Sequence, residues 1–373
     1  MHIGIVTYHN KYNYGAVLQA YALCRTLRVL GHKPTIIDFR LSKGEKRKEL
    51  VDNLKSLKMR LGEFYNVVPY RKRNTKFKMF GKKHLPLGTR TYFTFDEIRL
   101  QPPRMQAYIT GSDQVWNTDI CGSDIVVYLL EFVNNQSLRI SYAASFGRDA
   151  VKDNYKEIFA RSLVAFTSIS VREDHGKELV KACCGKDAEV VVDPVFLVEK
   201  KRWMDIRSGW KHSKPYIFLY TLHKDKLLLE SAVELARKTG FDLVHLPLYS
   251  WNTIKLPGVT RVVRDAGPGE FISILLNAHY VCTDSFHGTS FSVIFGKPFL
   301  TSLNRPRNGR MVHLLNMLQL TDHGVKNRQD SECLINRNLH FDVEKAEELL
   351  LMHRDRAIAF LSNALSETAA GKI

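Results

Sequence analysis

The sequence predicts an α/β protein of two Rossmann-like lobes facing a cleft, and three observations predict it. Short apolar β runs alternate with helical patterns along the chain, the mark of a mainly parallel sheet flanked by helices. The alternation occurs in two sets, one before Asp193-Pro194 and one after it. The strand patterns end in polar or glycine-bearing turns, where open α/β sheets bind ligands.

The first set opens with a strand at His2–Thr7, a helix over Leu18–Leu30 ended by Gly31, and a strand at Pro34–Asp38. Further strands are expected at Ala107–Thr110, Arg139–Ala143, Ser168–Val171 and Glu189–Val192. The second set has strands at Tyr216–Leu222, Asp242–Leu246, His279–Thr283 and Pro298–Ser302. Its helices are expected at Lys226–Thr239, Pro268–Asn277 and Phe286–Phe295, and a long amphipathic helix at Glu344–Leu365 closes the chain. Residues 1–195 are expected to form the first lobe, completed by the helix at 344–365, and residues 196–343 the second.

The chain has 373 residues, 45% of them hydrophobic, enough for two domains with sizeable cores. No apolar run approaches a membrane span, and MHIGIVTYHN lacks the pattern of a signal peptide, so a cytoplasmic protein is expected. The six cysteines and fourteen histidines show no metal-ligand spacing, and no metal site is expected.

The net charge of +17 is uneven. Between Arg40 and Arg90 sixteen Lys or Arg face four acids, so residues 40–90 read as a basic insertion. Within it Leu50, Leu54, Leu57 and Leu61 share one helical face, with Lys55, Lys58 and Arg60 around them. Such a helix suits peripheral contact with an anionic membrane, at the inner face of the bilayer, or simple packing on its own domain. No zinc-finger, RNP-like or helix-turn-helix pattern accompanies the charge, so nucleic acid is not the expected partner.

The most informative stretch is HYVCTDSFHGTSFSVIFGKP, from His279 to Pro298. It reads as a buried strand, a polar turn at Asp284-Ser285, and a helix stopped by Gly296-Lys297-Pro298. His287 falls in the first turn, near unpaired backbone N–H groups and the positive end of the helix dipole. With Ser285, Gly288, Thr289 and Ser290 beside it, the turn suits an anionic, phosphorylated ligand. A lone histidine at such a corner is more often structural, so its company decides.

Four further strand ends supply that company. Asn13-Tyr14-Gly15 after the first strand suits a tight turn with exposed backbone donors. Gly111-Ser112-Asp113-Gln114 gathers a hydroxyl, a carboxylate and an amide. Tyr142-Ala143-Ala144-Ser145-Phe146-Gly147 is small enough for backbone to approach a ligand. Arg172, just past a strand, reads as a bidentate anion clamp or a salt-bridge partner.

Taken in order, Asn-Tyr-Gly-Ala, Gly-Ser-Asp-Gln-Val-Trp-Asn, Tyr-Ala-Ala-Ser-Phe-Gly, Ser-Val-Arg-Glu, Val-Asp-Pro-Val and Thr-Asp-Ser-Phe-His-Gly-Thr closely resemble the polysaccharide pyruvyl transferase family of bacteria. The resemblance runs from about Ile3 to Leu320, outside the basic insertion. It implies a GT-B-like fold and transfer of pyruvate from phosphoenolpyruvate, with no other cofactor, onto a sugar as a cyclic ketal. The setting it implies is exopolysaccharide or capsule biosynthesis, with a free or lipid-linked oligosaccharide as acceptor. It implies that Arg172 and His287 serve donor binding and catalysis; because the enol carbon must be protonated, His287 is expected to be the general acid, a role that suits an imidazole. Ser285, Thr289 and Ser290 would then bind phosphate oxygens, and Asp113 would orient the acceptor diol.

One departure stands out. Many family members carry Thr-x-Arg-x-His-Gly, and here Ser285 stands where the Arg would be. Arg305, Arg307 and Arg310 lie in the loop that could replace it. Two other classes fit the same pattern less closely: a GT-B glycosyltransferase using a nucleotide sugar, and a non-catalytic protein bound to a membrane surface.

Overall fold

The computed structural model describes residues 1–41, 64–134, 136–248, 257–304 and 308–366. The leucine-faced basic helix expected around Leu50–Leu61 lies outside them, as do Arg305 and Arg307.

The first lobe runs β1 (His2–Val6), α1 (Tyr14–Val29), β2 (Lys33–Phe39), α2 (Phe64–His84), β3 (Leu87–Tyr92), α3 (Phe95–Leu100), β4 (Ala107–Gly111), β5 (Leu138–Ala144), α4 (Asp153–Val164), β6 (Ser168–Val171), α5 (Asp174–Cys184) and β7 (Glu189–Val190). Its strands form one sheet in the order β3-β2-β1-β4-β5-β6-β7. All pairings are parallel, with Ile3 opposite Pro34 on one side and Ala107 on the other.

The second lobe runs β8 (Tyr216–Thr221), α6 (Lys226–Thr239), β9 (Asp242–Pro247), β10 (Arg261–Val262), α7 (Pro268–Asn277), β11 (Tyr280–Thr283), α8 (Phe286–Ile294), β12 (Phe299–Ser302), α9 (Gly309–Met317), β13 (Gly324–Val325) and α10 (Arg328–Asn336). Its sheet is also wholly parallel, in the order β10-β9-β8-β11-β12-β13. The helix α11 (Val343–Ser366) follows. No described helix is long and apolar enough to cross a membrane.

Central strands such as β4 and β8 are buried along their whole length, which is why they read as unbroken apolar runs rather than alternations. Helix ends follow local chemistry. Asp225 caps α6 by accepting from the Leu228 N–H at 3.1 Å, and Gly240, at φ 70°, closes it in the left-handed region. Asn13 caps α1 in the same way through Ala16, so that helix begins at Tyr14, four residues before the apolar stripe suggests.

The lobes meet through aromatic side chains. Tyr14 stacks on Phe271 with ring centroids 4.8 Å apart, and its hydroxyl donates to the Ala266 carbonyl. Trp203 packs between Tyr21 and Phe291. Helix α11 lays Phe360 against Tyr142 of β5, and Arg354 Nε donates to the Phe196 carbonyl at 2.7 Å.

The basic segment is not wholly an insertion. Its second half builds the lobe: α2 buries Phe77 and Phe80, and β3 pairs with β2 at the sheet edge. The edge position explains why β3 was not foreseen, since LGTRTY exposes Leu87, Thr89 and Arg90 and shows no apolar run. The two-residue strands β10 and β13 are too short to leave any periodic signal.

Candidate functional site

Each sheet has one place where its strand order reverses, between β1 and β4 in the first lobe and between β8 and β11 in the second. Loops leaving a parallel sheet at such a point diverge and leave a crevice. The four loops concerned border one cleft of about 870 Å³. Lys11, Asp113, Asp119 and Asp124 line it from the first lobe; His223, Asp284, His287 and Arg310 line it from the second.

Behind His287 on its wall lies Asp193, whose side chain is fully buried. One carboxylate oxygen accepts from Arg172 Nη1 at 2.7 Å and from the Ser112 hydroxyl at 2.9 Å; the other accepts from the Val195 N–H. His287 Nε2 stands 3.6 Å from the same carboxylate, a Coulombic contact too long for a hydrogen bond. Burial alone would raise the Asp193 carboxyl, but His287 and Arg172 outweigh it and hold it well below the usual carboxylate range. Asp193 therefore stays an anion that ties the two residues singled out for catalysis to one point. It was quoted in the sequence only as part of Val-Asp-Pro-Val.

Arg172 is buried, with its guanidinium 4.6 Å above the Phe286 ring and 3.9 Å from both Asp113 and Glu173. Burial works against its charge, and Asp193, Asp113 and Glu173 more than compensate, so it titrates above its ordinary range. Its Nε and Nη2 have no hydrogen-bond partner among the described residues, and neither do Glu173 Oε2 and His287 Nε2. Unpaired donors at this depth are costly unless a ligand meets them.

His287 sits in the first turn of α8 with its ring against Gly15. A Cβ at residue 15 would lie 2.0 Å from His287 Nδ1, so the glycine is a space requirement of the histidine. Asn13 reaches the cleft while capping α1. Asp113 adopts φ 66°, a left-handed conformation eased by its own carboxylate accepting from the Gln114 N–H, and it stands at the cleft wall. Gln114 is held by Asn117 at 2.8 Å. Ser145 is turned to Glu173 at 2.7 Å.

Arg310, in the first turn of α9, also reaches this cluster. Burial, and then the charge of Arg172, push it down to about 10, against the pull of Glu173, Asp113 and Asp193. Behind the two arginines lies a hollow of about 200 Å³, lined by Arg172, Asp193, Phe286 and Arg310.

Other expected contacts face elsewhere. Thr289 and Ser290 are fully buried, with hydroxyls bonded to the Ser285 carbonyl and Thr301 and to the Phe286 carbonyl, because their positions on α8 point into the lobe. Gly288 packs on Thr283, where a Cβ would lie 2.5 Å from its hydroxyl oxygen. Ser285 caps α8 by accepting from the Gly288 N–H at 3.2 Å, while still bordering the cleft. Tyr14 belongs to the lobe interface, and Ser112 is bonded to Asp193. Asp284 accepts from the Leu222 and His223 N–H groups and from His223 Nδ1. His223 was not singled out in the sequence.

The fold is GT-B-like. It is similar to UDP-GlcNAc 2-epimerase from Neisseria meningitidis (TM-score 0.52, 14% identity, covering 98% of this chain and 99% of that one). It is also similar to UDP-GlcNAc 2-epimerase from Methanocaldococcus jannaschii (TM-score 0.50, 11% identity, covering 94% and 99%). At such identities the likeness is one of fold alone. No curated protein matches in sequence. The family model described as polysaccharide pyruvyl transferase matches residues 13–305, most of the chain and all the strand-end motifs from Asn13 to the α8 turn. The chain belongs to the polysaccharide pyruvyl transferase family, and is a transferase.

Proposed function

We propose that the chain moves pyruvate from phosphoenolpyruvate onto two hydroxyls of a sugar, closing a cyclic ketal on a bacterial polysaccharide or its precursor. The observation that carries this reading is the Asp193-centred cluster. It joins a buried arginine and a histidine, both with unpaired nitrogens, at the mouth of a hollow that a second arginine also lines.

The donor bears a phosphate and a carboxylate, and Arg172 and Arg310 offer forked donors to both. Arg310 supplies the cation missing at Ser285. His287 protonates the methylene carbon, which makes the adjacent carbon electrophilic. One sugar hydroxyl attacks there, phosphate leaves, and the second hydroxyl closes the ketal. Of the two protons lost by the diol, one balances that taken up by the methylene and the other leaves with phosphate.

Charge favours an acceptor presented at an anionic membrane surface. Helix α2 contains no acid, and Arg71, Lys72, Lys78, Lys82 and Lys83 are exposed along it. On the opposite side of the helix Phe77 packs on Tyr12 and Tyr14, so α2 as a whole stands beside the loop that lines the cleft.

The test is phosphate release from phosphoenolpyruvate with a panel of sugar acceptors, with products read by mass spectrometry. A ketal 70 Da heavier than the acceptor is expected, the mass of pyruvate less water. Glycosyl transfer from a nucleotide sugar, with no phosphoenolpyruvate consumed, would overturn the reading.

A further inference from the structure

The geometry points to His223 as the general base that takes the proton from the attacking hydroxyl, oriented by Asp284. The assignment rests on the pyruvyl-transfer reading and adds the group that activates the acceptor.

His223 follows β8 and Asp284 follows β11, neighbouring strands at the reversal point of the second sheet. The Asp284 side chain is 2% exposed and that of His223 is 45% exposed. Asp284 Oδ1 accepts from the Leu222 N–H at 2.7 Å; Oδ2 accepts from the His223 N–H at 3.0 Å and meets His223 Nδ1 at 3.0 Å. A carboxylate that already accepts two backbone N–H groups through both oxygens is an acceptor toward the ring as well. Nδ1 therefore carries the hydrogen, and the lone pair is left on Nε2. The half-exposed ring belongs to the wall of the 870 Å³ cleft that also contains His287.

The two histidines differ in the way an acid and a base should. His287 is buried, and the neighbour of its Nε2 is an acceptor, the Asp193 carboxylate at 3.6 Å. His223 has its carboxylate on the other nitrogen, which leaves Nε2 as the acceptor. Asp284 meets His223 on its own lobe and Lys224 and Asp225 follow it in sequence, while Lys11, Asp113, Asp119, Asp124, His287 and Arg310 share the cleft with it. In the step itself the sugar O–H bond breaks and its proton passes to His223 Nε2. The oxygen's electron pair forms the new C–O bond to the carbon made electrophilic by protonation from His287. The phosphate leaves with the electrons of its own C–O bond. Asp284 is a positioning residue that fixes the tautomer.

The experiment compares wild type, His223→Gln, His223→Ala and Asp284→Asn as full chains. Histidine ¹⁵N shifts, assigned by loss of a signal in His223→Gln, should show His223 protonated at Nδ1 at neutral pH; protonation at Nε2 overturns the assignment. With phosphoenolpyruvate and a sugar acceptor, His223→Gln should melt as wild type does. It should lose about 10²–10⁴-fold in kcat and the acid limb of its pH profile. Added imidazole should restore part of the rate in His223→Ala, which a structural role would not allow. Asp284→Asn should lower kcat with little change in the donor KM. An active wild type whose rate and acid limb survive in His223→Gln refutes the base and leaves pyruvyl transfer standing. A wild type that releases no phosphate with any acceptor refutes the transfer reading and the base with it.

Discussion

Gly15 and His287 come from different lobes, and the space above the one is filled by the ring of the other: a Cβ on residue 15 would lie 2.0 Å from His287 Nδ1. The backbone there is helical, so alanine itself would suit the first turn of α1. Gly15→Ala should therefore keep the fold and displace the imidazole from its present position beside Asp193. A displacement of about 1 Å at a reacting group costs on the order of 10²-fold in rate. Steady-state phosphate release and a melting curve on the same preparation check this. Wild-type turnover in Gly15→Ala would place His287 outside the reaction.

Asp193→Asn removes the charge that the buried Arg172 guanidinium faces. Breaking one partner of a buried pair costs about 3–5 kcal/mol, because the remaining charge is left in a poor solvent. The sign with pH follows from the depressed carboxyl. Its stabilisation is complete above the unfolded carboxylate value near 4 and is lost as pH falls from there through the lower folded value. Urea midpoints should therefore differ between wild type and Asp193→Asn by a constant amount from pH 5 to 8, and converge in strong acid.

Arg172 and His287 were legible because a strand end and a helix first turn can be read locally, and both lie within a few residues of a clear β run. Asp193 was not, although it stands in a quoted motif. Asp-Pro reads as a turn, and the contacts that give it a role come from Ser112, Arg172 and His287, up to 94 positions away. Thr289 and Ser290 face away from the cleft for a geometric reason. Hydroxyls beside His287 in sequence turn to other faces of a helix, and these two bond inside the lobe. His223 carries no motif at all; its only signal is its place after the first strand of the second sheet. The α2–β3 half of the basic segment was hidden because an exposed edge strand lacks an apolar pattern.

His245 gives a pH signature independent of the cleft. It is buried on β9, with Nε2 against the Thr221 hydroxyl and Nδ1 unpaired among the described residues. Burial, and then Arg264, lower it to about 4. The folded protein thus holds it neutral while the unfolded chain protonates near 6.5. Stability should be full above pH 6.5 and decline by roughly 3 kcal/mol as pH falls from 6.5 to 4. His245→Gln should flatten that part of the profile, as measured by urea midpoints. A decline of equal size in the variant would assign it to other groups.

Arg310 tests the replacement of the missing arginine. Its lowered value of about 10 reflects burial and repulsion from Arg172, and a bound dianion would relieve the repulsion. Arg310→Ala should raise the KM for phosphoenolpyruvate at least tenfold, while Arg310→Lys should recover only part of that, having no planar fork. Donor affinity in wild type should also fall as pH rises through about 10. An unchanged donor KM in Arg310→Ala would leave Arg172 as the sole clamp among the described residues.

The outward face of α2 should bind anionic bilayers. Arg71, Lys72, Lys78, Lys82 and Lys83 are exposed, and the helix holds no acid to offset them. Each lysine near such a surface contributes about 1 kcal/mol, so Lys78→Ala with Lys82→Ala should weaken binding about 30-fold. Both side chains point away from the lobe, because Phe77 and Phe80 on the same helix point in. Activity on a soluble acceptor should therefore be unchanged in the double variant. Cosedimentation with phosphatidylglycerol vesicles, repeated at rising salt, reads the electrostatic part directly. Phosphatidylcholine vesicles should bring down neither protein. If the double variant still cosediments like wild type, the charge on α2 has another use, and the acceptor need not be presented at a membrane.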